Sequence, residues 1–333
     1  MLHLRISLAT LVVTGAAMLA ACSGGGGGGA PTASNPAVPP MSTARSTDNG
    51  AVTMSGTASV LKTLTKEQTI GSAVNPVSGD VNPYGLDIAK VTSGKITKGD
   101  LVVCDFNDPQ NVQGTGRGIL AIHPVVGAKP VDISGNHENT GCDALAMGPT
   151  GAIWTAAFSS NDNPIFLSNG AFVTALSNGP WHNPFGEAFV PPVNSISVPA
   201  FYVSNAGDGS LVRVGIFSTP PTFRFTVIAT GFPVNHGVPG SILGPSGLNY
   251  TSVNDRLYVV DGTNNALYAI NNISRITSHG IVVNGSTFSG PQAGAAHLIF
   301  SGAPLNGPIS SAILPGGNIA VGNGQGVGRG QYI

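Results

Sequence analysis

Hydrophobic and polar residues alternate along most of this chain in short runs that end at Gly, Pro, Asn or Asp. Apolar runs of about four to eight residues between such turn residues are typical of β-strands. The clearest example is DRLYVVDGTNNALYAI (255–270), in which two apolar runs flank an Asp/Asn-rich turn. No long segment after residue 50 repeats its apolar residues at the helical interval of 3.6. The pattern therefore predicts an all-β domain over residues 51–333.

A strand–turn–strand unit recurs along this domain. Each unit opens with a Pro- or Gly-marked turn and a short apolar strand, and its second strand ends in Asn, Asp or Gly. We align five units on the anchors Gly85, Cys142, Gly186, Gly247 and Ser310. Repeats of several strands at intervals of several tens of residues indicate the blades of a β-propeller. We therefore predict five or six four-stranded blades, because the long third and fourth units leave room for a sixth.

The fourth unit, residues 244–270, is similar to an NHL-type propeller blade. In such a blade an inner strand leads to a second strand, an Asp/Asn-rich turn and a third strand. The resemblance implies a propeller over roughly residues 80–333, and it transfers no catalytic residue. Many propellers close their ring with a strand from the other end of the chain, and residues 51–64 are the candidate for that role.

The amino terminus carries a short apolar run that ends in Leu19-Ala20-Ala21-Cys22. This run is too short and too rich in Gly and Ala to span a membrane, and it resembles a bacterial lipobox. The resemblance implies that residues 1–21 are a cleaved signal peptide and that Cys22 is acylated, for example with palmitate. The alternative is an ordinary cleaved signal that happens to precede a cysteine.

The predicted lipid anchor indicates where the protein is located. Several acyl chains bind a membrane stably, and residues 22–50 are a Gly/Pro/Ser-rich stalk. We therefore expect the domain in the bacterial cell envelope. Ser23, rather than Asp, follows the cysteine, which resembles the outer-membrane address of the familiar enterobacterial lipoprotein sorting pattern. Periplasmic and surface-facing orientations both remain open.

Composition and net charge limit the classes of partner that the chain can bind. Charged residues are only 9% of the chain, and the formal net charge is −1. This composition provides no basic patch for nucleic acid. Besides Cys22, the chain has Cys104 and Cys142, which predict a disulfide in an oxidising compartment, with two buried free thiols as the alternative.

Oxygen-rich turns are the first candidate sites. Asp208, Asp261 and Asn264 lie in turns that could supply ligands to a divalent cation such as calcium. Asp and Asn also stabilise tight turns through their own backbone. We favour that structural role, and we predict no cofactor.

Histidines and carboxylates near the predicted inner strands are the second set of candidates. His137, His182 and His236 precede inner strands, as does His297 in the same alignment, so their loops should share one end of the channel. Imidazoles gathered there could contact a ligand or hold a transition metal. Glu138 and Glu187 are carboxylates that could do acid–base work beside them. Unrelated loop residues are the alternative in each case.

These observations favour a lipid-anchored extracytoplasmic propeller that binds an unidentified protein or small-molecule ligand on one face without catalysis. A fold alone cannot specify a function. The alternative is a metal-assisted hydrolase or lyase resembling gluconolactonase-like propellers, whose metal ligands cannot be matched here residue by residue. Metal analysis of the purified protein would separate the two hypotheses.

Overall fold

A computed structural model of the protein describes residue 66 and residues 68–325, apart from 195–196 and 219. The chain divides into two compact units, Met1–Gly56 and Thr57–Ile333, and every described residue belongs to the second. The predicted signal peptide (1–21), Cys22 with its stalk (22–50) and the candidate closing strand (51–64) lie outside the described residues. No helix among the described residues is long and apolar enough to cross a membrane.

Two four-stranded antiparallel sheets follow one another at the start of the described chain, each in sequence order. Blade 1 contains β1 (Val81–Ile88), β2 (Leu101–Asn107), β3 (Ile119–Ile122) and β4 (Val131–Ser134). Blade 2 contains β5 (Cys142–Met147), β6 (Ile153–Ala157), β7 (Pro164–Phe166) and β8 (Phe172–Ala175). Only 3-10 turns of three residues interrupt the strands of the described domain: His137–Asn139, Val253–Asp255, Ile273–Arg275 and Ala293–Ala295.

Two larger blades and a strand pair complete the described fold. Blade 3 contains β9 (Pro184–Val190), β10 (Ala200–Asn205), β11 (Ser210–Phe217) and β12 (Thr222–Thr230), extended by β16 (Ile281–Asn284) and β17 (Thr287–Ser289). Blade 4 contains β13 (Pro245–Thr251), β14 (Arg256–Asp261), β15 (Ala266–Ile270) and β18 (Ala296–Ser301). The fifth sheet contains β19 (Pro308–Ile313) and β20 (Ile319–Asn323).

The first strand of each sheet packs against the first strand of the next, from β1 through β5, β9 and β13 to β19. Glycines permit this close approach of inner strands. A Cβ on Gly85 would lie 2.6 Å from the Ala144 Cα, and one on Gly186 would overlap the Ser246 carbonyl oxygen. Sheets that radiate from a ring of first strands make a β-propeller, so the predicted all-β propeller is confirmed.

The predicted number of blades is wrong for the described residues. They form four complete blades and one two-stranded sheet, where five or six four-stranded blades were expected. The length of the fourth unit predicted room for another blade. Its extra strands instead form the β16–β17 hairpin, which joins the edge of blade 3 through a parallel pairing between Ala229–Thr230 and Ile281–Val282.

The register of the inner strands corrects one alignment anchor. In four inner strands a proline pairs with Asp or Asn at or near the end of the second strand, as in Pro83 with Asp105. In blade 2 the equivalent pair is Cys142 with Ala157. Ala144, two residues after Cys142, is therefore the equivalent of the anchor Gly85. Cys142 and Ala144 replace the Pro and Gly found at these two positions in blades 1, 3 and 4, which explains the error.

Hydrophobic layers between adjacent blades form the core. Fully buried aliphatic side chains fill the layer between blades 1 and 2, and the Cys104–Cys142 disulfide crosses it, with the two Cα atoms 5.2 Å apart. Between blades 2 and 3, Trp154 stacks on Phe201 with ring centroids 3.9 Å apart. Burial of this apolar area is the main favourable term in folding, and it holds the blades in fixed positions.

The flank of β1 that faces away from blade 2 is open. Asp87 faces blade 2, because its carboxylate accepts a hydrogen bond from the Met147 amide at 2.8 Å. The neighbouring side chains Leu86 and Ile88 point the other way and are 56% and 53% exposed. An inner propeller strand normally has a neighbour on both sides, so these apolar side chains lack a cover within the described residues.

Candidate functional site

Strand direction decides which loops share an end of the channel. Because neighbouring strands within each blade are antiparallel, the loop that leads into an inner strand lies beside the turn between the second and third strands. The backbone bond from Gly262 N–H to the Gly244 carbonyl joins two such segments at 3.0 Å. We call this end of the propeller the entry face.

The three predicted ligand-face histidines belong to loops of the entry face, and two of them pair with nearby carboxylates. The His137 side chain is 76% exposed, and its Nε2 lies 2.8 Å from Oε1 of the adjacent Glu138. His182 Nε2 lies 3.7 Å from an Asp208 carboxylate oxygen, and His236 has a left-handed backbone with φ 53°. No hydrogen bond or ion pair among the described residues joins any two of the three.

His297 does not precede an inner strand. It lies on the outer strand β18, paired with Ala269 of β15, and it is exposed. Because β18 starts opposite the end of β15, His297 belongs to the other end of the blade. The sequence alignment placed it wrongly because the β16–β17 hairpin separates β15 from β18 along the chain.

The two candidate carboxylates occupy different surroundings. Glu138 lies in a surface 3-10 turn, whereas Glu187 is buried on β9. Glu187 Oε1 accepts a hydrogen bond from Asn163 Nδ2 at 3.3 Å, and its Oε2 has no partner. Burial raises the pKa of Glu187 well above its usual range, although the Asn163 bond opposes the shift. Glu187 thus faces blade 2, in the interface between blades.

The candidate cation ligands stabilise their own turns. One Asp261 oxygen accepts the amides of Thr263 and Asn264 at 2.9 and 3.2 Å, and one Asp208 oxygen accepts the Ser210 amide at 3.0 Å. Asn264 Nδ2 donates to the Tyr268 hydroxyl. Among the described residues, no group of three or more His, Cys, Asp or Glu side chains could hold a metal ion.

An aromatic cluster at the entry-face mouth of the channel was not predicted. Tyr84 stacks on Phe106 with ring centroids 4.6 Å apart, and lies 6.3 Å from the ring of Phe185. Phe158 packs edge-on against both phenylalanines, at 5.8 and 6.4 Å. These rings come from blades 1, 2 and 3, so only the folded ring brings them together.

A small cavity of about 30 Å³ opens beside these rings. We call this cavity and its walls the recess. Its lining residues are Tyr84, Phe106, Phe185, Gly240, Ser241, Ile242, Leu243, Ile309, Gly324 and Gln325. The volume is about that of a single water site, so the recess is nearly filled as it stands.

One loop covers the recess. Residues 233–243, which we call the cover loop, reach blade 1, where Gly240 contacts the Gln113 side chain and Pro239 lies against Gly114. Asn235 ties the two ends of the loop together: its amide donates to the Leu243 carbonyl at 3.0 Å, and its Oδ1 accepts the Leu243 amide at 2.7 Å. No hydrogen bond among the described residues joins residues 233–243 to another segment.

A second groove, of about 310 Å³, lies at the opposite end of blades 1 and 2. Four of its seven lining residues carry hydroxyl or amide side chains, and the Ser93 and Ser168 hydroxyls bond to each other at 2.9 Å. It has no aromatic lining. This groove lies away from the aromatic cluster and is therefore a control site for binding at the recess.

Comparisons with known proteins give a likeness of fold only. No family model matches the chain, and no curated protein matches it. Among solved structures, virginiamycin B lyase from Staphylococcus aureus is 15% identical, with a TM-score of 0.44 over 73% of this chain and 78% of that one. A nidogen/laminin complex is 15% identical, with a TM-score of 0.46 over 72% of each chain.

A luciferin-regenerating enzyme is also similar, at 14% identity and a TM-score of 0.44, over 74% of this chain and 71% of that one. At these identities and TM-scores, no neighbour's activity transfers to this chain. The blade assignment rests on the strand pairings of the chain itself.

Proposed function

We propose that this protein is a lipid-anchored propeller of the bacterial cell envelope that binds a ligand at the recess, without catalysis. The observation that carries the proposal is the aromatic cluster under the cover loop. Ligand pockets are mostly apolar and aromatic, with a few polar groups at their rim. The Gln325 and Ser241 side chains and the glycine backbones at 240 and 324 supply such a rim.

A screen of small-molecule fragments by saturation-transfer NMR tests this proposal on the mature protein. We expect fragments that bind the wild type to lose binding in Phe185→Ala, because one wall of the recess is removed. They should keep binding in His137→Ala, which changes an exposed entry-face side chain outside the recess. Fragments that ignore the Phe185 substitution, or a complete absence of binders, would contradict the proposal.

The alternative function is a metal-assisted hydrolase or lyase. It requires about one bound metal per chain, with activity lost on chelation. Elemental analysis of protein purified without chelators tests it directly. Stoichiometric metal that is lost in a His182→Ala/His236→Ala double variant would favour the enzyme over the binding propeller.

We also propose that residues 51–64 cover the open flank of β1. Ile70 and Ala73, which follow this segment, already pack on the same face of blade 1 as Val103 and Leu120. The exposed Leu86 and Ile88 lie on that side of β1 and would gain apolar contacts. Deleting residues 51–64 should therefore lower the melting temperature, and an unchanged melting temperature would contradict this placement.

A further inference from the structure

Asp143 on β5 is an acidic group that the described residues leave without a partner. Its side chain is 2% exposed, and neither carboxylate oxygen has a hydrogen-bond partner. Glu187 and Asp261, in contrast, each use one oxygen in hydrogen bonds. A buried carboxyl group without hydrogen bonds or a countercharge is costly. A ligand that supplies both would remove this cost.

The position of Asp143 associates it with the recess. In the register of the inner strands, Asp143 follows Cys142 as Tyr84 follows Pro83 and Phe185 follows Pro184. Tyr84 and Phe185 are both walls of the recess. The pKa of Tyr84 is raised to about 12, first by burial and then by the negative charge of Asp143. Asp143 lies on β5, between the inner strands β1 and β9 that carry Tyr84 and Phe185, although it is not itself one of the walls of the recess.

Aromatic faces beside a carboxylate are the surroundings that favour an organic cation. The negative face of an aromatic ring attracts an ammonium group, and the attraction grows when both are removed from water. We propose that the recess binds an alkylammonium group, with the rings of Tyr84, Phe106 and Phe185 around it and Asp143 as its counterion. This inference rests on the proposed ligand-binding function and names its ligand class.

The cover loop would have to move for such a group to enter. Ile242 of the loop is 6% exposed and packs within the aromatic cluster. Because the polar groups of residues 233–243 bond only within the loop, lifting it breaks no hydrogen bond to the rest of the described chain. The packing of Ile242 in the aromatic cluster and the contact of Gly240 with the Gln113 side chain oppose opening. Ile242 thus occupies the space that the ligand would take.

Two probes of nearly the same shape test the charge requirement. Choline carries a quaternary ammonium group, and 3,3-dimethylbutan-1-ol replaces its nitrogen with carbon and is neutral. Titration of each into the mature wild-type protein, followed by NMR, should show that choline binds about tenfold tighter or more. This comparison requires no variant, so it does not depend on whether a substituted protein folds.

Variants then test the charge of Asp143 and the space that Ile242 occupies. Asp143→Asn keeps the shape and removes the charge, so the preference for choline should disappear. Asp105→Asn removes another buried carboxylate, which lies on β2 beside Asp80, and should keep the preference. Ile242→Ala should strengthen choline binding by clearing the recess, whereas Val238→Ala, at a 70% exposed position of the same loop, should leave it unchanged.

The outcomes separate this inference from the proposed function. Equal binding of both probes would overturn the cation inference and leave the recess as a neutral ligand site. Another outcome is that neither probe binds while other fragments bind and lose binding in Phe185→Ala. In that case the cation inference is wrong and the proposed ligand-binding function stands. If the Asp143→Asn protein folds and still prefers choline, Asp143 is not the counterion.

Discussion

The buried carboxyl groups predict an unusual pH dependence of stability, and Asp105 shows the effect most clearly. Its side chain is fully buried and neither oxygen has a partner. Burial, and then the negative charge of Asp80, raise the pKa of Asp105 to about 8. In the unfolded chain the pKa returns to about 3.9. Asp105 is therefore protonated in the folded protein at a pH where the unfolded chain has released that proton.

The sign and size of the effect follow from proton linkage. Between about pH 4 and pH 8 the folded state binds the Asp105 proton and the unfolded state does not, so the free energy of unfolding falls as pH rises. The fall is about 1.4 kcal/mol per pH unit for one such group, or about 3 kcal/mol between pH 5 and 7. For a domain of this size that is roughly 6–12 °C in melting temperature.

Asp105→Asn isolates this contribution, because the amide has the shape of the carboxyl group and does not titrate. Urea unfolding of the wild type and the variant at pH 5, 6 and 7 measures the two slopes. Between pH 5 and 7 the free energy of unfolding should fall by about 3 kcal/mol less in the variant than in the wild type. Asp108→Asn, a change beside the surface turn after β2 where the carboxylate accepts only backbone amides, is the matched control and should keep the wild-type slope.

Other groups shape the wild-type curve in the same direction. Burial raises the pKa of Asp261 to about 7 despite two backbone hydrogen bonds, and it raises the pKa of Asp143 well above its usual range. Each adds stability at low pH that is lost as pH rises toward its folded pKa. A wild-type stability that is flat or rises between pH 5 and 7 would refute the reasoning, as would equal slopes in the wild type and Asp105→Asn.

Three further changes test other parts of the account. Replacing Cys104 and Cys142 with Ala removes the bond that closes a 38-residue separation, and should lower the free energy of unfolding by about 3–4 kcal/mol in chemical denaturation; a loss near zero would contradict the bond. Gly186→Ala places a Cβ against the Ser246 carbonyl oxygen and should cost about 1–3 kcal/mol, whereas Gly294→Ala, with no atom within 4 Å, should cost far less. Cys22→Ser should release the protein from membranes or leave an uncleaved precursor, and normal processing with membrane fractionation would contradict the predicted anchor.

The strands could be predicted from sequence because each is a short apolar run between turn residues. The anchors Gly85, Gly186 and Gly247 were placed correctly because inner strands that touch require glycine there. Blade 2 has Cys142 and Ala144 where other blades have Pro and Gly. Without those markers the alignment slipped by two residues, although the blade itself was found.

The recess could be predicted only in part. Tyr84 and Phe185 both follow a proline at the start of an inner strand, and a correct register would have grouped them with Asp143. Phe106 and Phe158 lie on or after second strands, and no periodic signal joins them to the others. The cover loop belongs to the connection between blades 3 and 4, and its arrival at blade 1 depends on how the blades are arranged around the channel. Such long-range contacts have no local sequence signal.

The most direct test of the account is hydrogen–deuterium exchange of the mature protein with and without saturating choline. The account predicts slower exchange in residues 233–243 and at the start of β1, since the ligand would sit beneath the cover loop and against Tyr84. Exchange around the opposite groove, at Ser93 and Ser168, should not change. Protection at that groove without protection of the cover loop would contradict the assignment of the entry face as the binding face.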